Sequence, residues 1–470
     1  GRRAEALGQY EACRRVLADE LGADPETETT QLYEQIQRGE MGPETIRRAG
    51  QPVPVWNLPA APTPFFGRKD ELAALEAMLA NPDTRLVTLT GPGGSGKTRL
   101  ALEASARVAE RDRQALADGL PLAFPHGAVF VPLAAIDTVE GLAPALADAL
   151  RLHLQGGRQQ LVDALRHRQI LLILDNLEHL LDGAVFLAEI LRTAPGVHIL
   201  ATSRERLRLQ SEHVFPVRGL SYPDHVLRAS SPEAADPELC VAAYPAFHLF
   251  VDSARRVQPH FAVTPKDLPL LLDICRQVDG LPLALELAAS WADALSISDI
   301  LAEAQQSLSF LQAEWHDVPE RHRSMRAVFD VSWRRLSAAE RSVFSRLSVF
   351  RGGFSQEAAT QVAGPKASTR SLAALVRKSF LQYDQPGDRY QIHELLRQSG
   401  ALHLAMEPEQ ETGAFDRHSR HFCAWLQALR PDLRSRRQRA ALAEVEADLE
   451  NARAACLWAA SQERADRINQ

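Results

Sequence analysis

Eight consecutive residues, Gly91-Pro92-Gly93-Gly94-Ser95-Gly96-Lys97-Thr98, fit the pattern G-x-x-x-x-G-K-[ST]. Each residue type has a reason to be there. Gly91, Gly93, Gly94 and Gly96 let the backbone take open conformations. Successive N–H groups, that of Ser95 among them, then point into one concavity that suits phosphate oxygens. A helix starting directly after the loop adds positive potential toward an anion. Lys97 reaches the β- and γ-phosphates of a nucleotide as a point charge. Thr98 offers a hydroxyl to Mg²⁺, a cation that prefers oxygen ligands and substrate phosphates. Asp175 closes the apolar run Ile170-Leu171-Leu172-Ile173-Leu174. A carboxylate at the tip of a buried strand is a second Mg²⁺ ligand, direct or through water. Hydrolysis also needs a group that orients water. The position after Asp175 is Asn176, an amide that cannot act as a base, and Glu178 is the nearest acid. Glu178 reads equally as a solvated acid at a helix start, so slow turnover is expected. Thr202 and Arg204 follow the run Val197–Ala201, where they can sense and neutralise a γ-phosphate. Arg204 reads alternatively as one of several loop arginines.

These residues need a scaffold. Leu86–Leu89 reads as a buried strand entering the glycine loop, and Leu100–Val108 as the helix leaving it. Further apolar runs at 128–133, 170–174 and 197–201 alternate with helical segments across residues 65–220. That is the pattern of a parallel sheet covered on both faces. Residues 240–315 read as a helical bundle, in which Leu271, Ile274, Cys275 and Val278 form one helix face. Gly280 ends that helix and Pro282 opens the next. Residues 320–405 read as helices with a terminal hairpin, Phe380–Tyr383 turning through 384–388 into Tyr390–Ile392: a winged helix. Residues 406–470 are helical, with a stripe of Leu442, Val445, Leu449, Ala452 and Cys456. Residues 1–40 read as helix, turn, helix. Residues 41–64, with six prolines and no apolar periodicity, read as an extended linker. The fold class is thus multidomain α/β plus α.

Composition narrows the function. The 470 residues are 45% hydrophobic, enough for several cores, with about 150 residues expected per domain. A net charge of −7 argues against a nucleic-acid or membrane coat along the whole chain. The five cysteines lie far apart with no C-x-x-C, which points to a reducing cytoplasm. No apolar stretch approaches the ~18 residues of a membrane helix. The chain opens on Gly1 within a helical pattern, and is read as a fragment of a longer protein.

Phe66-Gly67-Arg68-Lys69-Asp70-Glu71-Leu72, Gly91–Thr98, Leu171–Asn176, Ala201-Thr202-Ser203-Arg204, Gly280–Leu283 and Ile392-His393-Glu394 occur in this order. As a set they resemble the STAND signalling ATPases, in the NB-ARC-like branch of bacterial regulators. The resemblance covers residues 65–405. It implies that Phe66, Gly67 and Arg68 line the adenine side and that Pro282 packs near adenine or ribose. It implies too that His393 contacts the β-phosphate of ADP and locks the winged helix onto the nucleotide domain. The chain departs from the family pattern at Asn176. It departs also at Glu394, a longer acid than the family's usual aspartate. Residues 1–40 resemble the end of the TPR-like bacterial transcriptional activator domain of SARP-type regulators. The tail resembles the start of a TPR-like sensor array.

The expected function is a switch controlled by ATP and ADP, with Mg²⁺, in a signal-responsive bacterial transcription regulator. It would self-associate in the ATP state, respond to an inducer on the C-terminal repeats, and contact DNA through a region before Gly1. Two alternatives remain open: an ordinary catalytic P-loop ATPase, and DNA binding by the winged helix itself through Arg370, Arg377 and Lys378.

Overall fold

The computed structural model describes residues 2–21, 25, 27–38, 54–136, 138–152, 157–224, 236–306, 310–313, 323–385 and 387–462. Two N-terminal helices, α1 (Arg2–Leu21) and α2 (Thr27–Arg38), form a hairpin. The rings of Tyr10 and Tyr33 stack at 4.1 Å, and the Tyr33 hydroxyl donates to Glu11.

A six-stranded, wholly parallel sheet follows. Its strands are β1 (Val55–Asn57), β2 (Leu86–Thr90), β3 (Gly127–Pro132), β4 (Ile170–Asp175), β5 (Val197–Ser203) and β6 (Glu212–Pro216), in the order β1-β3-β4-β5-β2-β6. The central strands are apolar on both sides, and alternation decides which side each residue serves. Leu171 and Ile173 pack with Leu72, Leu75, Leu100 and Val108 of helices α3 (Lys69–Ala80) and α4 (Lys97–Ala117). Leu172 and Leu174 pack on the opposite layer, which contains Leu146, Leu165 and Ile190. That layer is built from α5 (Leu142–Ala149), α6 (Gly157–Leu165) and α7 (Ala184–Thr193).

The four expected strands are present, but the sheet has two more. β1 lies inside the stretch read as a linker, and pairs with β3 from Val55↔Gly127 to Asn57↔Val129. Residues 54–64 therefore belong to the α/β domain, and residues 41–53 lie outside the described ones. Both added strands sit at sheet edges, where few apolar residues are needed and proline is tolerated. Their sequences carry little signal for that reason. The close approach at β1 depends on Gly127 (φ +86), since a Cβ there would strike the Val55 backbone.

The bundle comprises α8 (Pro237–Ala243), α9 (Pro245–Val257), α10 (Asp267–Gln277), α11 (Pro282–Ala289) and α12 (Ile297–Gln306). Gly280 (φ +61) sits where its backbone meets Leu220 at the end of the α/β domain, and the Leu220 N–H donates to its carbonyl at 2.7 Å. The next unit holds α13 (Met325–Arg334), α14 (Ala338–Leu347), α15 (Gln356–Ala363), α16 (Thr369–Arg377), the antiparallel hairpin β7 (Gln382–Asp384) and β8 (Arg389–Gln391), and α17 (Glu394–Ala405). Helices α18 (Pro408–Leu429) and α19 (Gln438–Ser461) complete it. One apolar core runs through bundle, winged helix and terminal helices, from Phe247 and Leu285 through Phe344 to Phe422. Among the described residues, no helix is long and apolar enough to cross a membrane.

Candidate nucleotide site

The loop between β2 and α4 has the open backbone that its sequence anticipates. Gly91, Gly94 and Gly96 have φ of +157, +81 and +85. Gly96 is the N-cap of α4 and brings no side chain to its first turn. The α4 amides therefore face the loop, as an anion site requires. Lys97 folds back, its Nζ donating to the carbonyls of Gly91 (2.9 Å) and Pro92 (2.8 Å). Burial pushes its ammonium down to about 8. A phosphate would replace those carbonyls as partner and favour the charged form.

Asp175 and the loop are not on neighbouring strands. β5 lies between β2 and β4, and its Thr202 fills the gap. The hydroxyls of Thr98 (2.6 Å) and Thr202 (2.7 Å) both donate to Asp175 Oδ1. A carboxylate and two hydroxyls make an all-oxygen donor set, which fits Mg²⁺. Thr202 Oγ1 also accepts from the Asn176 N–H at 2.9 Å, and holds Asn176 in a left-handed conformation (φ +66).

Arg204 and Glu178 form a buried ion pair, Nε to Oε1 at 3.0 Å. Glu178 is only 3% exposed, so its reading as a solvated acid fails. The Arg204 guanidinium also reaches into the winged-helix unit. Nη1 donates to the Val328 carbonyl (2.9 Å) and to Ser332 Oγ, both on α13. Val328 packs so closely on Gly93 that a Cβ there would collide with its methyl group. From α11, the Leu283 N–H donates to Gly94 O at 3.3 Å, and Pro282 lies over Gly96. What remains is a cleft of about 190 Å³ bounded by Lys97, Thr98, Asn176, Glu178, Thr202 and Arg204. Val328 and Ser332 carry no motif; only their position in the fold brings them to the loop.

The residues carried over by resemblance divide. Arg68 is buried and donates to Ser95 O (2.6 Å) and Arg218 O (2.9 Å), so it braces the phosphate loop. Phe66 packs on the His248 ring at 4.5 Å, and Gly67 lies against Pro245, both on the bundle side. Pro282 lies against Gly96 of the phosphate loop. His393 lines a separate cavity of about 430 Å³ with Gly91, Pro92 and Asp279. Its Nε2 is 3.0 Å from the Val278 carbonyl and its Nδ1 accepts from the Leu395 N–H, so both ring nitrogens have protein partners. Burial holds its pKa below the usual histidine range. Two residues just past the end of α16 are also engaged. Lys378 pairs with Glu340 at 2.9 Å, and Ser379 Oγ donates to the Arg204 carbonyl at 2.8 Å. Arg370 and Arg377 of the same helix stay exposed.

Known proteins resemble this chain in two ways, through family models and through relatives. Residues 1–37 match the bacterial transcriptional activator domain, and residues 64–200 the AAA ATPase domain. A "Putative HTH-type transcriptional regulator" of Mycobacterium tuberculosis is 33% identical over 399 residues, covering 82% of this chain and 40% of the relative. An uncharacterized protein of the same organism is 32% identical over 366 residues, covering 75% of this chain and 83% of its own length. The regulatory protein AfsR of Streptomyces griseus is 29% identical over 424 residues, covering 84% and 38%. The chain thus spans about two fifths of the named regulators it matches. It belongs to the family of SARP-type bacterial regulators that join a bacterial transcriptional activator domain to a P-loop ATPase.

Proposed function

We propose that this chain is the nucleotide-controlled switch of a transcription regulator. ADP belongs to the closed arrangement described above, and ATP to an opened one that self-associates. Slow hydrolysis returns the second to the first. The observation that carries this reading is the engagement of Arg204. The arginine best placed for a γ-phosphate is bonded to Glu178 and to α13 of the winged-helix unit. A γ-phosphate and α13 compete for one guanidinium, so a third phosphate favours opening. Nucleotide shifts the balance only by its differential affinity for the two arrangements, and this competition supplies such a difference.

Lys97 and the loop amides would hold the phosphates, and Thr98 with Asp175 the Mg²⁺. The metal would supply positive charge that offsets that of the phosphates. An inducer acting through the helices after residue 406 would bias the same equilibrium. DNA contact is assigned to parts of the regulator other than the winged helix, where Lys378, one of the three basic residues around α16, is paired with Glu340. The site of action is the cytoplasm.

The test is the nucleotide retained by purified protein, together with its mass in solution after exchange into ADP or ATP. Retained ADP with a monomeric mass, and a larger mass in ATP that is lost in Lys97→Ala, are expected. Assembly unchanged in Lys97→Ala rejects the switch. A turnover rate typical of a motor, unaffected by Asn176→Asp or Glu178→Ala, would favour an ordinary catalytic ATPase.

A further inference from the structure

We propose that His179 is a positioning residue for hydrolysis: it orients the Asn176 amide so that Oδ1 faces the attacking water. This rests on the slow-ATPase part of the reading above. His179 lies in the short turn (Leu177–His179) after β4. Its Nε2 is 2.9 Å from the carbonyl of Leu133 and 2.8 Å from that of Ile136. Carbonyls only accept, so Nε2 carries the ring hydrogen, and Nδ1 of the neutral ring is an acceptor. Nδ1 is 3.4 Å from Asn176 Nδ2, which therefore donates to it. The orientation of the amide follows from the chemistry of the ring and not from a choice between two similar atoms.

The backbone of Asn176 is fixed independently, by its N–H on Thr202 Oγ1 and by Asp175 before it. Asn176 lines the cleft with Lys97, Thr98 and Arg204. With Nδ2 turned to His179, Oδ1 is the acceptor the amide offers to that cleft. Glu178, the other acid at the cleft, gives Oε1 to Arg204, and its Oε2 is buried with no hydrogen-bond partner.

In hydrolysis the water oxygen bonds to the γ-phosphorus. The bond from that phosphorus to the β–γ bridging oxygen breaks, and its electron pair stays on ADP. Asn176 Oδ1 accepts a hydrogen bond from the water but takes no proton. The proton passes to an oxygen of the transferred phosphoryl group, giving ADP and dihydrogen phosphate. An amide orients the water without taking its proton, which fits the slow turnover proposed above.

The experiment is single-turnover hydrolysis of γ-labelled Mg·ATP by the whole chain, beside ATP affinity from a fluorescent analogue. His179→Ala is expected to lower the rate about tenfold and to leave affinity within about twofold, because only an orienting contact is lost. His179→Gln keeps a donor for the two carbonyls but offers Asn176 no ring acceptor, so it should lose the same rate with the turn still anchored. In an Asn176→Ala background, His179→Ala should cause no further loss. Equal losses in both backgrounds, full rate in His179→Gln, or a parallel fall in affinity each overturn the proposal. A parent chain that retains ATP without ever cleaving it also overturns it, yet leaves the nucleotide switch standing. A chain that retains no nucleotide rejects both.

Discussion

Ser332→Ala tests whether α13 is the lid of the nucleotide site. Ser332 is buried, accepts from Arg204 Nη1 and lies outside the phosphate-loop motif in sequence. The variant removes one hydrogen bond to a charged group, worth about 1.5–3 kcal/mol. Nη1 keeps the Val328 carbonyl and Nε keeps Glu178, so no buried charge is orphaned and the lower end applies. About 1.5 kcal/mol corresponds to roughly a tenfold shift of the closed–open equilibrium. If α13 must lift for ADP to leave, ADP release should speed up by that factor. The assay is displacement of a fluorescent ADP analogue by excess ADP in stopped flow, with thermal unfolding as a control for global damage. A release rate within twofold of the parent would refute the argument that Arg204 couples the lid to the site.

Four further outcomes follow from Lys97, Asp175 and Asn451. Burial holds Lys97 near 8 without ligand, against about 10.4 unfolded, so between these values the unfolded chain binds more protons. Stability of the ligand-free chain should therefore rise with pH across that window. The rise should be absent in Lys97→Met, as followed by urea unfolding at a series of pH values. Phosphate should restore the ammonium, so calorimetry near pH 8.5 in buffers of different ionisation enthalpy should detect proton uptake on ADP binding. Asp175→Asn should weaken Mg²⁺-dependent ATP binding about tenfold or more and leave metal-free binding nearly unchanged, since Asp175 is the carboxylate of the oxygen donor set. Asn451, fully buried on α19, accepts from the Arg351 N–H (2.7 Å) and donates to Gly353 O (2.9 Å) and Asp448. Asn451→Ala leaves the Arg351 N–H unsatisfied while Gly353 O keeps Arg389 Nη2, and should cost about 1–3 kcal/mol in chemical denaturation.

Much of the site can be read from residue order because its parts are local. A glycine loop between strand and helix, and an acid at the tip of an apolar strand, are set by spacing and periodicity within about ten residues. The central strands are legible for the same reason, being apolar on both faces. The edge strands β1 and β6 are not, since an exposed edge asks little of its side chains. Only the tertiary structure decided that β5 separates the loop from Asp175 and puts Thr202 between them. It alone turned Glu178 inward onto Arg204 and brought Val328, 124 positions away, onto that same arginine. Such contacts depend on how whole elements pack. A buried valine or serine on an amphipathic helix looks alike in sequence whether it faces its own core or another domain's phosphate loop. The sequence by itself determined that the chain grips a phosphate. The packing of α13 on the loop decided that the grip is closed by a second domain.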